Sequence, residues 1–214
     1  MTTATARPFD SAQYWEARYR ANGTSGAGSA GHLALFKAEF VNAFVARNNV
    51  TDVLDLGCGD GHLLSLLRIP NYTGVDVSAT SLRRCASHYP RHRFMAPHDL
   101  DDAFSADLTL SLDVVFHLVE DTVFVHYMRT LFAHARRFVL IYASNTDHHW
   151  PAPHVRHRRF TEHVAASEPD WRLLAHIPNP YPYDPAQPDD TSFADFFVYA
   201  CAGAGCAVRV PATT

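Results

Sequence analysis

The sequence is poor in lysine, in cysteine and in long apolar runs. Lys37 is its one lysine beside 17 arginines, which disfavours Walker-type phosphate loops and lysine Schiff-base chemistry, because both need a correctly placed lysine. The four cysteines form no CxxC pair, and so they indicate a reducing, cytoplasmic setting. No run of about 18 apolar residues occurs, and the start lacks a basic segment followed by an apolar one. The sequence therefore predicts neither a membrane span nor a signal peptide.

The charge balance is slightly acidic, with a formal net charge of -4. Binding of nucleic acid through the phosphate backbone needs a positive field, which this composition does not supply. The 14 histidines would reverse the sign of the net charge if all were protonated, so properties should depend on pH below about 6.5. With 214 residues, 47% of them hydrophobic, the chain is long enough for one globular domain.

The spacing of apolar residues predicts alternating helices and strands. Helices are predicted at residues 10–20, 32–48, 61–67, 78–88, 120–135 and 160–167, and strands at 53–57, 73–78, 93–96, 106–112, 137–143, 171–177 and 193–200. Such alternation is typical of a parallel sheet covered by helices on both faces. A loop with five prolines and no helix joins the last two strands, which should therefore pair antiparallel.

A glycine-rich motif follows the first predicted strand. Residues 55–61 read DLGCGDG, and Asp76 ends the next strand 21 residues after Asp55. Ligands of open parallel sheets bind at the carboxyl ends of the strands, where a carboxylate can accept both hydroxyls of a ribose. The dinucleotide fingerprint GxGxxG is not met, because His62 stands where its last glycine should be. The motif thus favours a nucleoside without a pyrophosphate over NAD or FAD, and a plain tight turn is the alternative.

Four motifs in this order resemble the class I S-adenosylmethionine-dependent methyltransferases, most closely their small-molecule branch. They are DLGCGDG at 55–61, GVDVS at 74–78, Asp99 after the third strand and LSLD at 110–113. The resemblance spans roughly residues 31–200. It implies an α/β, three-layer Rossmann-like fold with a seven-stranded sheet, mostly parallel with the last strand antiparallel, and helices on both faces. We expect an N-terminal helix and glycine-rich lid loop at residues 1–31, the methyltransferase domain at 32–202 and a flexible tail at 203–214.

The resemblance implies S-adenosyl-L-methionine as cofactor and assigns its contacts. The residues assigned to the cofactor would contact its amino-acid part, its ribose, its adenine and its methionine portion. They are Asp55, Gly57, Cys58, Gly59, Asp76, Val77, Asp99, Leu112 and Asp113. Lys37, 18 residues before Asp55, is a candidate partner of the cofactor carboxylate, and a solvated helix lysine is the alternative. No metal site is expected.

Aromatic residues of the first predicted helix are candidates for a lid over the site. Trp15 is expected near the cofactor, since an aromatic face attracts a sulfonium through cation–π interaction, and Tyr14 near the substrate. Residues 23–31 (GTSGAGSAG) are expected to act as the hinge. Ordinary packing of these aromatics is the alternative.

A basic segment, HVRHRR at 154–159, follows the fifth strand. Guanidinium groups bind carboxylate or phosphate in a bidentate fashion, so Arg156 and Arg158 are predicted to contact an anionic substrate. The neighbouring arginines disfavour a metal site at His154 and His157, and a solvated basic loop remains the alternative.

His117 is predicted to be the catalytic base or a positioning residue. It follows Asp113 by four residues, so in a helix it would share a face with Asp113, and a pKa near 6.5 would suit proton removal. A histidine packed on an apolar face is the alternative.

The sequence as a whole predicts a methyltransferase for small-molecule biosynthesis that acts on oxygen or nitrogen of a small polar, anionic metabolite. The alternatives are an enzyme of the same fold with other chemistry, such as cyclisation, and a cofactor-binding subunit without activity. Neither nucleic acid nor membrane is an expected partner, and a homodimer is left open.

Overall fold

Alternating strands and helices build the chain, of which the computed structural model describes residues 9–203 and 208–211. The helices are α1 (Ser11–Arg20), α2 (Gly31–Arg47), α3 (Ala79–His88), α4 (Asp121–Ala133) and α5 (Phe160–Ser167). The strands are β1 (Asp52–Leu56), β2 (Asn71–Val75), β3 (Arg93–Met95), β4 (Ala106–Leu112), β5 (Ala135–Ala143), β6 (Trp171–Ile177) and β7 (Asp195–Cys201).

The seven strands form a sheet in the order β3-β2-β1-β4-β5-β7-β6. Strands β1 to β5 pair in parallel, and β7 runs antiparallel between β5 and β6. The predicted Rossmann-like α/β fold and the antiparallel pairing of the last two strands are confirmed. The chain order reverses at β1, which pairs with both β2 and β4, so the carboxyl ends of these three strands border one crevice.

The core follows from strands that are buried on both faces. Every residue of β4 is buried, as expected for a central strand covered by two helical layers. Helix α2 packs aromatic residues against the sheet. Its Phe44 meets Phe138 edge-on with ring centroids 5.2 Å apart, and its Phe40 stacks on Phe196 at 4.3 Å. These contacts fix α2, and with it Lys37, against the sheet.

The prediction of a helix at residues 61–67 is wrong. The chain forms a single 3₁₀ turn there, Leu63–Leu66, after Gly61 with a φ of 76°, which no right-handed helix adopts. The side chain of Asn42 ends the turn, since it accepts the N–H of Arg68 at 2.6 Å and donates to the Leu66 carbonyl at 2.9 Å.

Helix α1 is docked on the N-terminus of α3 by the carboxylate of Glu16. Its Oε2 accepts from the hydroxyl of Ser78 at 2.7 Å and from the N–H of Thr80 at 3.1 Å, and its Oε1 accepts from the Thr80 hydroxyl at 2.7 Å. The bonds from Ser78 and Thr80 lower the pKa of Glu16 to about 2. The carboxylate therefore ties α1 to the end of β2.

Replacing Glu16 by glutamine is expected to lower the free energy of unfolding by about 1–3 kcal/mol, because charge-assisted hydrogen bonds become neutral ones. The folded pKa lies below the ordinary 4.5, so the contribution is present above pH 4.5 and is lost as pH falls toward 2. Urea unfolding at pH 7 and pH 3 measures this. Glu39→Gln, at an exposed position of α2, is the control, and equal stability of Glu16→Gln and wild type at pH 7 would contradict the assignment.

The loop at residues 23–31 is hydrogen-bonded to the glycine turn after β1. The N–H of Ser25 donates to Asp60 Oδ2 at 2.9 Å, and the N–H of Asp60 donates back to Ser25 Oγ at 3.2 Å. Tyr19 Oη lies 3.0 Å from the same Oγ. Opening of the loop would thus break a reciprocal pair of hydrogen bonds.

The predicted tail, 203–214, is described at residues 203 and 208–211 only, and Cys206 lies outside the described residues. Arg209 is anchored there: its N–H donates to Asn48 Oδ1 at 2.9 Å, and Asn48 Nδ2 donates to its carbonyl at 3.0 Å. Among the described residues, no helix has both the length and the apolar character needed to cross a membrane.

Candidate active site

The carboxyl ends of β1, β2 and β4 border a cavity of about 370 Å³, here called the first cavity. Nine of the predicted cofactor contacts line it: Trp15, Asp55, Gly57, Cys58, Gly59, Asp76, Val77, Leu112 and Asp113. Residues more than 90 positions apart in the chain thus meet at one crevice, as the strand order requires.

The turn after β1 needs glycine for both conformation and space. Gly57 and Gly59 have φ values of 86° and 59°, in the left-handed region that side chains rarely adopt. A Cβ on Gly57 would lie 2.4 Å from Val114 Cγ2, and one on Gly59 would lie 2.4 Å from Ser25 Oγ. A substitution at either position would therefore displace the wall of the first cavity.

Two buried aspartates stand at the ends of β1 and β2. Asp76 accepts the N–H of Gly59 on Oδ2 at 2.9 Å and that of Ser78 on Oδ1 at 2.8 Å. Asp55 accepts from the hydroxyl of Tyr72 on Oδ2 at 2.7 Å, while its Oδ1 is buried without a hydrogen-bond partner in the described chain. Burial raises the pKa of each carboxyl to about 6.

The first cavity is strongly acidic. Six carboxylates line it and, among the described residues, no lysine or arginine does: Asp10, Asp55, Asp60, Asp76, Asp113 and Glu120. Carboxylates facing a partly enclosed space lower the electrostatic potential there. The cavity therefore suits a ligand that carries positive charge.

The structure does not bring Lys37, the predicted partner of the cofactor carboxylate, to the lining of the first cavity. Its ammonium forms an ion pair with Asp113 Oδ2, and the side chain is fully buried between α2 and the sheet, 5.2 Å from the ring centroid of Tyr142. Asp113 has a φ of 60°, a costly conformation for a non-glycine residue. The ion pair holds Asp113 in that conformation and offsets its charge.

Asp99, which the resemblance places among the cofactor contacts near the adenine, does not line the first cavity either. Asp99 ends a 3₁₀ turn, Pro97–Asp99, and its side chain is 61% exposed beside His98. The residues of this segment that line the first cavity are Pro97 and Leu100. The third strand thus contributes an apolar wall in place of a carboxylate.

A second cavity of about 240 Å³ adjoins the first. The two share four lining residues: Trp15, Ser25, Asp113 and His117. Its remaining wall comes from α1, the loop at 23–31, the segment after β5 and the proline-rich loop before β7. Two compartments joined at the end of β4 are what a reaction between two bound molecules requires.

His117 stands at the junction of the two cavities. It ends a 3₁₀ turn, Val115–His117, so the helical i, i+4 relation to Asp113 does not hold. Its Nδ1 lies 2.8 Å from the carbonyl oxygen of His154, which accepts only, so in the neutral ring Nδ1 carries the hydrogen and Nε2 is a free acceptor. Burial lowers the pKa of His117 to about 4, and the expectation of a value near 6.5 is wrong.

The residues predicted to hold an anionic substrate lie elsewhere. The guanidinium of Arg156 donates to the Val119 carbonyl at 2.9 Å and pairs with Asp121 at 3.0 Å. Arg158 pairs with Asp121 at 3.1 Å and donates to the same carbonyl at 2.9 Å. Both cations fasten the segment after β5 to the start of α4, and neither lines the first or the second cavity. Their donors are already used, so the structure does not bring these two predicted residues to the site.

Tyr14, also predicted to contact substrate, does not line either cavity. Its ring stacks on His154 with centroids 4.7 Å apart and an interplanar angle of 11°. Tyr14 therefore packs against His154, which lines the second cavity.

The lining residues that sequence reasoning missed include three with polar side chains. Ser25 is placed by its long-range pair with Asp60, for which the sequence carries no signal. Tyr127 reaches the first cavity from α4, where its hydroxyl donates to the Leu56 carbonyl at 2.7 Å. Arg18 lines the second cavity, and its position three residues after Trp15 was the available signal, since such residues share a helix face.

Comparisons with known proteins converge on one family. A family model described as a methyltransferase domain matches residues 29–187. A search of curated proteins finds no match.

Solved structures share the fold over nearly their whole length. The N-methyltransferase NodS from Bradyrhizobium japonicum WM9, in complex with S-adenosyl-L-homocysteine, is 12% identical with a TM-score of 0.64, covering 90% of this chain and 99% of that chain. Magnesium protoporphyrin IX methyltransferase (ChlM) from Synechocystis PCC 6803, with bound SAM, is 15% identical with a TM-score of 0.60, covering 92% and 100%. An S-adenosylmethionine-dependent methyltransferase from Clostridium acetobutylicum ATCC 824 is 14% identical with a TM-score of 0.60, covering 90% and 98%.

Proposed function

We propose that this chain, which belongs to the methyltransferase-domain family and is an S-adenosylmethionine-dependent methyltransferase, methylates an oxygen or nitrogen of a small polar anion. The observation that carries the substrate class is the second cavity. It adjoins the acidic first cavity at His117, and Arg18 is one of its lining residues.

The first cavity fits the charges of S-adenosylmethionine. The cofactor carries a sulfonium and an ammonium against one carboxylate, so it is a net cation at neutral pH. Six carboxylates line this space, of which Asp113 is already paired with Lys37, and a cationic ammonium would satisfy the unpartnered Oδ1 of Asp55. When bound, the cofactor supplies a methyl group on a positively charged sulfur.

The residues of the first cavity divide among the parts of the cofactor as follows. Asp76 is proposed to accept the ribose hydroxyls, and Val77, which is 48% exposed beside it, to pack on the adenine. The backbone of the turn at 57–59, together with Leu112 and Asp113, would hold the methionine part. Trp15 faces both cavities and is placed to stabilise a sulfonium by cation–π attraction.

On the acceptor side, His117 is proposed to hold and remove a proton. The carbonyl of His154 fixes the ring so that Nε2 is the basic atom. A neutral base at the junction can take the proton that a hydroxyl or a protonated amine must lose.

Helix α1 and the loop at 23–31 are proposed to act as the lid over both cavities. The Glu16 carboxylate and the pair formed by Ser25 and Asp60 hold the closed position. A closed lid excludes water and keeps the two reactants in contact.

A panel of small acids tests the substrate class. Each acid is paired with its primary amide, and transfer of labelled methyl from S-adenosylmethionine is measured. The acids are expected to show a kcat/KM at least about tenfold above that of the amides, because a charge-assisted bond to Arg18 contributes roughly 1.5–3 kcal/mol. Equal or preferred methylation of the amides would contradict an anionic substrate.

The setting proposed for this activity is the cytoplasm, where it would serve small-molecule biosynthesis. The sparse cysteines support a reducing location. The acidic first cavity disfavours nucleic acid as a partner, since phosphates would be repelled at its mouth. Gel filtration with light scattering would decide between monomer and homodimer.

A further inference from the structure

One part of the wall of the second cavity is a cluster of aromatic residues. Phe116, Trp150, Tyr183 and Phe193, from three distant segments of the chain, all line it. Trp150 meets Tyr183 and Phe193 with ring centroids 5.1 Å away in each case, and Phe193 meets Phe116 at 4.9 Å. The interplanar angles of these three pairs are between 67° and 85°, whereas Tyr183 and Phe193 are tilted at 48° with centroids 6.1 Å apart. Aromatic rings pack favourably on one another edge to face or offset, so a cavity lined by several rings suits a ligand with a planar ring.

The charge of this cavity is set by one arginine. Among the described residues, Arg18 and Asp113 are the lining residues with a formal charge, and Lys37 neutralises Asp113. The guanidinium of Arg18 has no carboxylate partner in the described chain. Its Nε donates to the Thr24 carbonyl at 2.6 Å and its Nη1 to the Tyr14 hydroxyl at 3.4 Å. Nη2 therefore has donors left for an anion.

The size of the second cavity limits the ligand. Pockets for drug-sized ligands begin at about 300 Å³, and about 240 Å³ is sufficient for a single ring with two substituents. Arg18 lines the second cavity but not the first, whereas His117 lines both cavities. A ligand that spans this space would therefore place an anion at Arg18 and another substituent at the junction.

We propose that the second cavity binds a single-ring aromatic acid, with its ring against Trp150 and Phe193, its carboxylate at Arg18, and a hydroxyl or amino substituent at His117. The inference rests on the proposed function and gives its substrate a chemical class. Three independent features point to this class: an aromatic wall, a single cation without a carboxylate partner, and a volume that admits one ring.

Direct binding tests the inference without turnover. The isomeric hydroxybenzoates and aminobenzoates are titrated into the protein saturated with S-adenosylhomocysteine, and tryptophan fluorescence is recorded, since Trp15 and Trp150 line the cavity. At least one isomer is expected to bind ten times more tightly than its amide and than the corresponding hydroxy- or aminocyclohexane carboxylate. Arg18→Gln and Trp150→Ala should each weaken this binding at least tenfold. Arg47→Gln, an exposed arginine of α2, should leave it unchanged.

The affinity for S-adenosylhomocysteine, measured by calorimetry, separates the outcomes. The inference requires that Arg18→Gln change this affinity less than threefold, and a large loss would assign Arg18 to the cofactor and overturn it. Methylation of non-aromatic anions with no aromatic acid bound would also overturn it, while leaving the proposed function intact. Tight binding of an aromatic acid with no methyl transfer to any acid would support the assignment of the cavity and overturn the proposed function.

Discussion

Replacing Asp76 by alanine is expected to abolish most cofactor binding. In the wild type, S-adenosylhomocysteine at a hundred times its Kd should stabilise the protein by about 2.7 kcal/mol, which corresponds to a rise in Tm of roughly 5–10 °C for a domain of this size. The carboxylate of Asp76 is the acceptor proposed for two ribose hydroxyls, and each charge-assisted bond contributes roughly 1.5–3 kcal/mol. The affinity should therefore fall at least about a hundredfold, and the ligand-induced rise in Tm should disappear.

Two further variants separate this effect from a loss of folding. Asp76→Asn keeps an acceptor for the N–H of Gly59 or Ser78, so it should fold while binding more weakly than wild type. Asp99→Ala removes an exposed carboxylate outside the first cavity and should bind normally. If Asp99→Ala lost affinity while Asp76→Ala kept it, the division of the cavity proposed above would be wrong.

The dependence of cofactor binding on pH follows from Asp76 and from the neighbouring carboxylate of Asp55. Burial raises the folded pKa of Asp55 and Asp76 to about 6, above the ordinary 3.8. Without cofactor, the folded state binds more protons than the unfolded state between these values, so stability rises as pH falls from 6 toward 4. The cofactor favours the ionised carboxylates, so its Kd should rise as pH falls below about 6. Calorimetry at pH 5 and pH 7.5 should show this trend, and a Kd independent of pH would exclude both aspartates as ligands.

Local patterns allowed most of the fold and of the first cavity to be predicted. Branched apolar runs mark the strands, and the glycines of residues 55–61 mark the turn that a ligand approaches. The carboxyl ends of parallel strands must meet at one edge, so Asp55 and Asp76 could be placed together from their order alone. Nine of the predicted positions lie around one cavity for this reason.

The predicted residues that the structure places away from the two cavities have partners that are distant in the chain. Lys37 pairs with Asp113, 76 residues away, and Arg158 reaches the Leu118 carbonyl, 40 residues away. Whether a cation is free to bind a ligand depends on such partners, which spacing does not reveal. Arg18 is available because its guanidinium donates to the Thr24 carbonyl and the Tyr14 hydroxyl and has no carboxylate partner in the described chain. Local sequence patterns thus predicted the position of the site, whereas tertiary contacts determine which charged side chains are free to bind a ligand there.

Replacing His117 by alanine is expected to lower kcat at least about a hundredfold, since a positioned general base typically contributes 10²–10⁴. Among the residues that the structure describes, His117 is the one with a titratable ring that lines both cavities, and the carbonyl of His154 holds its Nε2 as the basic atom. His154→Ala keeps that backbone carbonyl and removes only a stacked ring, so its kcat should stay within a factor of about three. A similar loss in both variants would indicate that the ring stack, and not a base, matters at this position.

The pH profile distinguishes a base from a residue that only packs. Because burial lowers the pKa of His117 to about 4, the neutral base is present at pH 5 and above, and kcat at saturating cofactor should fall only as pH approaches 4. By contrast, kcat/KM for the cofactor should fall already near pH 6, where Asp76 takes up a proton. In His117→Ala the limb near pH 4 should vanish and the limb near pH 6 should remain. If the variant kept kcat within a factor of about three together with the lower limb, proximity of the two bound molecules would carry the transfer and His117 would be a packing residue.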